Sequence, residues 1–405
     1  MSTSGVGRRG FLGYVGTAVA GAAAGVGGAT LAGSSGRAEE QVPAGDAADS
    51  SAWAGRTIAP HGPHQPGVAA PAAHVTEVVA LDLLAGTDRD ALGRLMRVWT
   101  GDVESLTQGR PAPGDTAPWL ATANADLTIT VGAGPGAFGP RRLGAPPAGF
   151  GEVPPMRHDR LQERWTGGDL VLFVAGRDAT TVAHAVRRLV ADAAPFATLR
   201  WRQQGSWNGT GPQGQPVTGR NLFGQVDGSA NPQPGTALFD ETVWIREGAW
   251  AGGTTLVVRR IRMDLDTWDE LTREEQERSV GRRLDDGAPL TGSKETDDID
   301  LRARSGERLV IARDAHARRS HPGLNGGRRI FRKGANYVLD TERGVESGLV
   351  FSSFQADLLD QFVPIQQTLD ELDSLNEWTT AIGSASFAVL PGFEPGGWLG
   401  QSLLA

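Results

Sequence analysis

Short apolar runs with strand spacing alternate along this chain with longer runs at helical spacing, and the same order occurs twice. His74–Leu84 reads as a strand. From Asp88 to about Ser105, Leu92, Leu95, Met96 and Trp99 fall on one helical face, with Thr87 or Asp88 as the cap. Leu127–Val131 and Leu170–Ala175 read as two further strands. A second helix starts at Asp178 with Val182, Val186, Leu189 and Val190 inward, and Ala197–Gln203 closes the unit. The order βαββαβ predicts a ferredoxin-like unit, in which two crossover helices cover one face of an antiparallel sheet.

The second half repeats the pattern less cleanly. Thr254–Leu265 reads as a strand, followed by a helix capped by Asp266 that carries Trp268 and Leu271. Arg308–Arg313 and Gly348–Phe354 are expected as strands, Ala356 to about Leu375 as a helix, and Ser386–Leu390 as the last strand. Pro364 interrupts the hydrogen-bond ladder of that helix, which predicts a kink or a helix start. The polar, acidic stretch Arg282–Gly306 is expected to be a surface insertion. The Gly/Pro/Gln-rich segment Gly205–Gln215 separates the halves, giving an α+β protein with domains at 74–210 and 211–405.

The beginning of the chain follows other rules. Arg8-Arg9-Gly10-Phe11-Leu12 precedes a Gly/Ala-rich, weakly apolar run, and Gly36-Arg37-Ala38 offers a small-residue cleavage site. This reads as a twin-arginine export signal over residues 1–38, with a membrane anchor as the alternative. Residues 39–73 read as a linker or surface-hugging arm. Removing residues 1–38 moves the formal charge from −8 to −11, which disfavours nucleic acid or an anionic membrane as a partner. The expected location is extracellular or in the cell envelope, with no stable membrane insertion after cleavage. No cysteine occurs, so disulfides, thiolate ligation and covalent c-type haem attachment are excluded.

Three fragments carry chemistry. Asp227 stands between Gly224 and Gly228, in Gly224-Gln225-Val226-Asp227-Gly228-Ser229-Ala230-Asn231-Pro232. Glycines permit close approach to a ligand, while Asp-Gly and Asn-Pro also make ordinary turns. His316 lies in Asp314-Ala315-His316-Ala317-Arg318, and His321 follows in Ser320-His321-Pro322. His61, His64, His74, His158 and His184 read as surface or structural. Arg332 begins Arg-Lys-Gly after Phe331; composition alone makes it one of a cluster with Arg318, Arg319, Arg328 and Arg329. One carboxylate, one histidine and one arginine suffice for a haem peroxidase.

The order and surroundings of these fragments resemble the dye-decolourising peroxidase family, through a GxxDG loop, a histidine in an Asp-Xaa-His-Xaa-Arg context and a later arginine. The likeness extends from Gly62 to Gly392. It includes Leu106-Thr107-Gln108-Gly109-Arg110-Pro111, Gly132-Ala133-Gly134-Pro135-Gly136-Ala137-Phe138 and Phe354-Gln355-Ala356-Asp357. It implies two ferredoxin-like βαββαβ domains packed as a dimeric α+β barrel, with non-covalent haem b in the second. The implied roles are iron ligation by His316, proton transfer by Asp227 and charge stabilisation by Arg332. Gly228, Arg332 and His321 border the haem in that reading, His321 also as a point of electron entry.

The implied substrates are hydrogen peroxide and an organic electron donor such as a dye or phenolic. The alternative function is release of iron from haem, or haem binding in the cell envelope. An aspartate remains a base at acid pH values where a histidine is protonated, so activity is expected to favour acid conditions. Departures from the family pattern are Ser229 for threonine, Ala317 and Arg319 near the histidine, and Trp378 for tyrosine. Trp201, Trp207, Trp244, Trp250, Trp378 and Trp398 are candidate electron relays.

Overall fold

The structure, a computed structural model, describes residues 55–405 apart from 124, 212–214, 216 and 343. The expected signal segment, and the expected arm up to residue 54, lie outside the described residues. The first half runs β1 (Val75–Leu83), α1 (Arg89–Leu106), β2 (Thr128–Ala133), β3 (Leu170–Gly176), α2 (Ala179–Ala193), β4 (Ala197–Ser206). Asp88 and Asp178 cap the two helices, accepting from the backbone N–H of Ala91 and Thr181. Hydrogen-bonded neighbours are antiparallel in the order β4-β1-β3-β2, as the βαββαβ pattern requires.

The second half uses β5 (Thr254–Met263), a detached hairpin of β6 (Arg304–Ser305) and β7 (Arg308–Leu309), then β8 (Phe331–Thr341), β9 (Gly344–Gln355) and β10 (Thr379–Val389). Its sheet order, β10-β5-β9-β8, is the first half's order again. Strand two of one half meets strand four of the other at both seams, where Gly132 pairs with Val389, Ala133 with Ala388, and Ser206 with Asn336. All eight strands of the resulting closed barrel come from one chain.

Four expectations need correction. The expected strand Arg308–Arg313 is only β7, outside the barrel, and the strand the repeat requires is β8. Asp264, not Asp266, caps the helix Leu265–Asp269. The expected helix from Ala356 begins as a π turn, Leu358–Phe362, and continues as α4 (Val363–Leu372), numbered after α3 (His316–Arg319). Pro364 falls in the first turn of α4, where its missing N–H breaks no internal bond. The last strand begins at Thr379 rather than Ser386.

Strand alternation sorts the side chains into layers. Val78 and Ala80 of β1 point into the barrel with Leu256, Val258, Phe331, Val350 and Phe354, while Val79 and Leu81 point outward under α1 and α2. That outer layer of the first half is filled with hydrocarbon, with Leu92, Leu95, Trp99 and Leu189 all fully buried. The segment before β1 enters the structure. Gln65 is buried, its amide donating to Val131 O and Leu390 O at 2.8 Å each and its carbonyl accepting from Val131 N, so one side chain bridges the β2–β10 seam.

Candidate active site

The outer layer of the second half is hollow. A cavity separates its sheet, which presents Ile261, Met263, Leu349 and Phe351, from Phe362, Ile365 and Leu369 of the covering helical segment. Asp227, Gly228, His316, His321 and Arg332 all line it.

Asp227 sits on a loop held by its own N–H to Gly219 O (2.9 Å) and by a bridge between Arg220 and Val226. Gly228 follows at φ 127°, in the region that favours glycine, so the chain turns away and leaves the carboxylate projecting. Arg332 lies on β8 between Phe331 and Lys333 and is the outward residue of the three. Its Nη1 is 3.1 Å from Asp227 Oδ1, with the two side chains 25% and 16% exposed. Asn221 Nδ2 also reaches Asp227 Oδ2, at 3.4 Å. The Arg332 backbone is fixed by one amide: Asn231 Oδ1 accepts from Arg332 N (3.1 Å) and Asn231 Nδ2 donates to Arg332 O (2.8 Å).

His316 opens α3. Its Nδ1 lies 2.6 Å from Asp373 Oδ2, and Asp373 is itself buried and accepts from Leu375 N through its other oxygen. Burial pushes the imidazole pKa down, but the charge and hydrogen bond of Asp373 outweigh it, so the net shift is upward. With Nδ1 engaged, Nε2 is the ring atom left to bind a ligand, the arrangement typical of a metal-ligating histidine whose second nitrogen is oriented by a carboxylate.

His321 Nε2 contacts Asp298 Oδ1 at 2.8 Å while its Nδ1 accepts from Gly323 N. The hydrogen bond from His321 holds the Asp298 carboxyl below the usual carboxylate range. Asp298 belongs to the stretch expected as a surface insertion, and so do Ile299 and Arg282, which line the cavity too. Arg282 Nη1 donates to the carbonyls of Gly287 and Glu295, and burial lowers its pKa. Sequence reasoning missed Arg282, Asp298 and Asp373. The polar run around the first two looked like solvated loop, and nothing local to Asp373 marks it as the partner of a histidine 57 positions earlier.

The cavity suits a large, flat, mostly apolar group bearing a metal and anionic substituents. It offers apolar walls on one sheet face, one imidazole nitrogen, and the cations Arg282, Arg329 and Arg332. Two of its lining groups, Gln225 Nε2 and Ser229 Oγ, are buried without a hydrogen-bond partner among the described residues, as groups awaiting a bound ligand would be.

Family models for the Dyp-type peroxidase N-terminal and C-terminal regions match residues 65–206 and 218–394. A dye-decolorizing peroxidase of Thermobifida fusca is 39% identical over 365 residues, 84% of this chain and 83% of that protein. A deferrochelatase of Yersinia pestis is 33% identical over 370 residues, 85% of this chain and 84% of that protein. The solved oxyferrous complex of DtpA from Streptomyces lividans superposes with a TM-score of 0.83 at 38% identity, covering 87% of this chain and 99% of that one. This chain belongs to the Dyp-type peroxidase family, and it is a peroxidase.

Proposed function

We propose that the cavity holds non-covalent haem b with His316 on the iron, and that the chain reduces hydrogen peroxide at the expense of bulky organic donors such as dyes and phenolics. The observation that carries the proposal is the convergence of the His316–Asp373 pair and the Asp227–Arg332 pair on one largely apolar cavity. Bound haem supplies the redox chemistry of its iron. Asp373 fixes the His316 ring and raises the basicity of its free nitrogen. Asp227 takes a proton from one peroxide oxygen and returns it to the departing one. Arg332 offers a permanently charged, planar donor to the negative charge that develops on the departing oxygen before the proton reaches it. Asn231 keeps that donor in place through the backbone. Arg282, Arg329 and His321 are placed at the cavity wall to meet haem carboxylates or the donor.

The absorption spectrum of purified protein before and after an equivalent of peroxide tests this. A haem band that peroxide converts, and that His316→Ala abolishes or shifts, is expected. A native band in His316→Ala together with its loss in His321→Ala would reassign the ligand. Metal-free porphyrin among the products would favour the iron-releasing activity that names the deferrochelatase relative. Export by the twin-arginine route belongs to the same proposal, because that route carries folded cargo already holding its cofactor. Replacing Arg8 and Arg9 with Lys is expected to retain haem-loaded protein inside the cell; unchanged secretion would remove this part.

A further inference from the structure

Strand β8 sends Arg332 to the cavity and the next residue, Lys333, the opposite way. Lys333 therefore points into the barrel between Phe331 and Ala335, both buried, and is itself half-buried. Its Nζ donates to Gly67 O and to Ala70 O, each at 2.7 Å. Those carbonyls belong to the short helical turn Pro66–Ala69 and the residue that ends it. The turn is packed too tightly for a side chain at Gly67, where an added Cβ would lie 2.3 Å from Thr130 Oγ1. Through Gln65 the same segment bridges the β2–β10 seam.

We infer that Lys333 is a positioning residue for Arg332, tying the strand that carries the arginine to the segment lodged in the barrel. Asn231 grips the Arg332 backbone from the cavity side and Lys333 anchors the next residue from the barrel side. The guanidinium of Arg332 thereby meets Asp227 in a fixed register. The inference rests on the role proposed above for Arg332, but the clamp itself is a property of the protein without haem. An ammonium drawn largely out of water needs acceptors, and the two carbonyls provide charge-assisted bonds that a neutral amine gives up.

Around Lys333 the neighbouring strand brings Ser352, its register partner, and β8 itself brings the Phe331 ring at 5.9 Å. The charged groups next along the barrel interior, Arg260 and Glu346, pair with each other at 2.7 Å. His64, from the lodged segment, is committed to Gly252 O and to stacking on Trp244. Burial alone brings Lys333 down to about 7, so the clamp is charged on the acid side of neutrality.

The test compares Lys333→Met and Lys333→Arg with wild type by two measurements. Amide hydrogen exchange over residues 65–70 of haem-free protein reads the clamp directly. Faster exchange is expected in Lys333→Met, with restoration in Lys333→Arg. Stopped-flow reaction with peroxide from pH 5 to 9 reads the consequence at Arg332. Lys333→Met is expected to slow it by about tenfold to a hundredfold, the scale of a misplaced catalytic group. Wild type is expected to lose rate near pH 7, and Lys333→Arg to lack that limb because a guanidinium stays charged. Unchanged exchange over 65–70 in Lys333→Met overturns the clamp, whatever the chemistry of the site. Changed exchange with an unaltered rate and pH limb leaves Lys333 as packing and overturns its role toward Arg332.

Discussion

The two halves of the barrel share one strand order and use it for opposite ends. In the first, α1 and α2 lie on the outer sheet face with Leu92, Leu95, Trp99 and Leu189 fully buried in the gap. In the second, the equivalent gap is kept open by a connection that runs from β5 to β8 and by a helix that starts as a π turn, and its wall carries Asp227, His316 and Arg332. A filled layer returns stability from each buried side chain. A hollow one gives up that return so that a large group can enter and meet polar residues at fixed positions. With the function proposed above, the architecture assigns cohesion to one half and chemistry to the other.

Removing the chemistry should leave the cohesion. In the double variant Asp227→Asn with Arg332→Leu, the reaction with peroxide is expected to fall by ~10² to 10⁴ with little change in thermal midpoint. Stopped-flow mixing from pH 4 to 8 measures the first and calorimetry the second. A near-wild-type rate would place peroxide activation elsewhere.

Deleting hydrocarbon should show the reverse. Leu189→Ala, in the filled layer, is expected to cost about 2–5 kcal/mol in denaturant unfolding, with per-site activity retained. Leu369→Ala, on the cavity wall and only half-buried, is expected to cost under about 2 kcal/mol in the haem-free protein, since it already borders open space. Equal costs would mean that the layers do not differ as described.

The smallest effect is a pH dependence confined to the first half. Asp102 of α1 is 2% exposed and faces Asp192 and Arg188 of α2, with Asp115 nearby. Arg188 Nη2 is already 2.6 Å from both oxygens of Asp192. Burial first, and Asp192 second, push the Asp102 carboxyl up to about 7. A carboxyl raised in the folded state stabilises it fully below its unfolded value, and that contribution is lost as pH rises through about 7. Asp102→Asn mimics the protonated form, and is expected to raise the thermal midpoint at pH 8 by ~2–4 °C while changing it little at pH 5. The same slope of midpoint against pH in variant and wild type would remove Asp102 as its source.

What could be read from the sequence follows the same division. The first half declares its strands and helices because most inward positions are apolar, so periodicity and caps agree. In the second half β8 is silent as a strand. Its outward position holds Arg332 for the site, its inward position holds Lys333 for the clamp, and Gly334 is pressed against Trp207, where a Cβ would lie 2.9 Å from the ring. Function had taken the positions where a pattern would show. The glycine-flanked Asp227 was legible because a loop that must approach a ligand needs a special backbone. Asp373 was not, because only the closed fold brings it to His316. Arg282 and Asp298 hide in a polar stretch whose composition resembles a solvated loop.

The seams also have a consequence in time. Residue 65 reaches residue 390 through Gln65, and β2 reaches β10, so the ring is completed by the last strand to be synthesised. At about 5–20 residues per second, the interval between finishing β4 at Ser206 and finishing β10 at Val389 is roughly 10–40 s. Until β8 is made the first half stands as an open sheet with β2 and β4 as bare edges, and β2 stays bare until β10 follows, the form most prone to pair with another chain. A nascent protein of this design is therefore most vulnerable to aggregation in the second half of its own translation, and its safety depends on how quickly the ribosome delivers the closing strand.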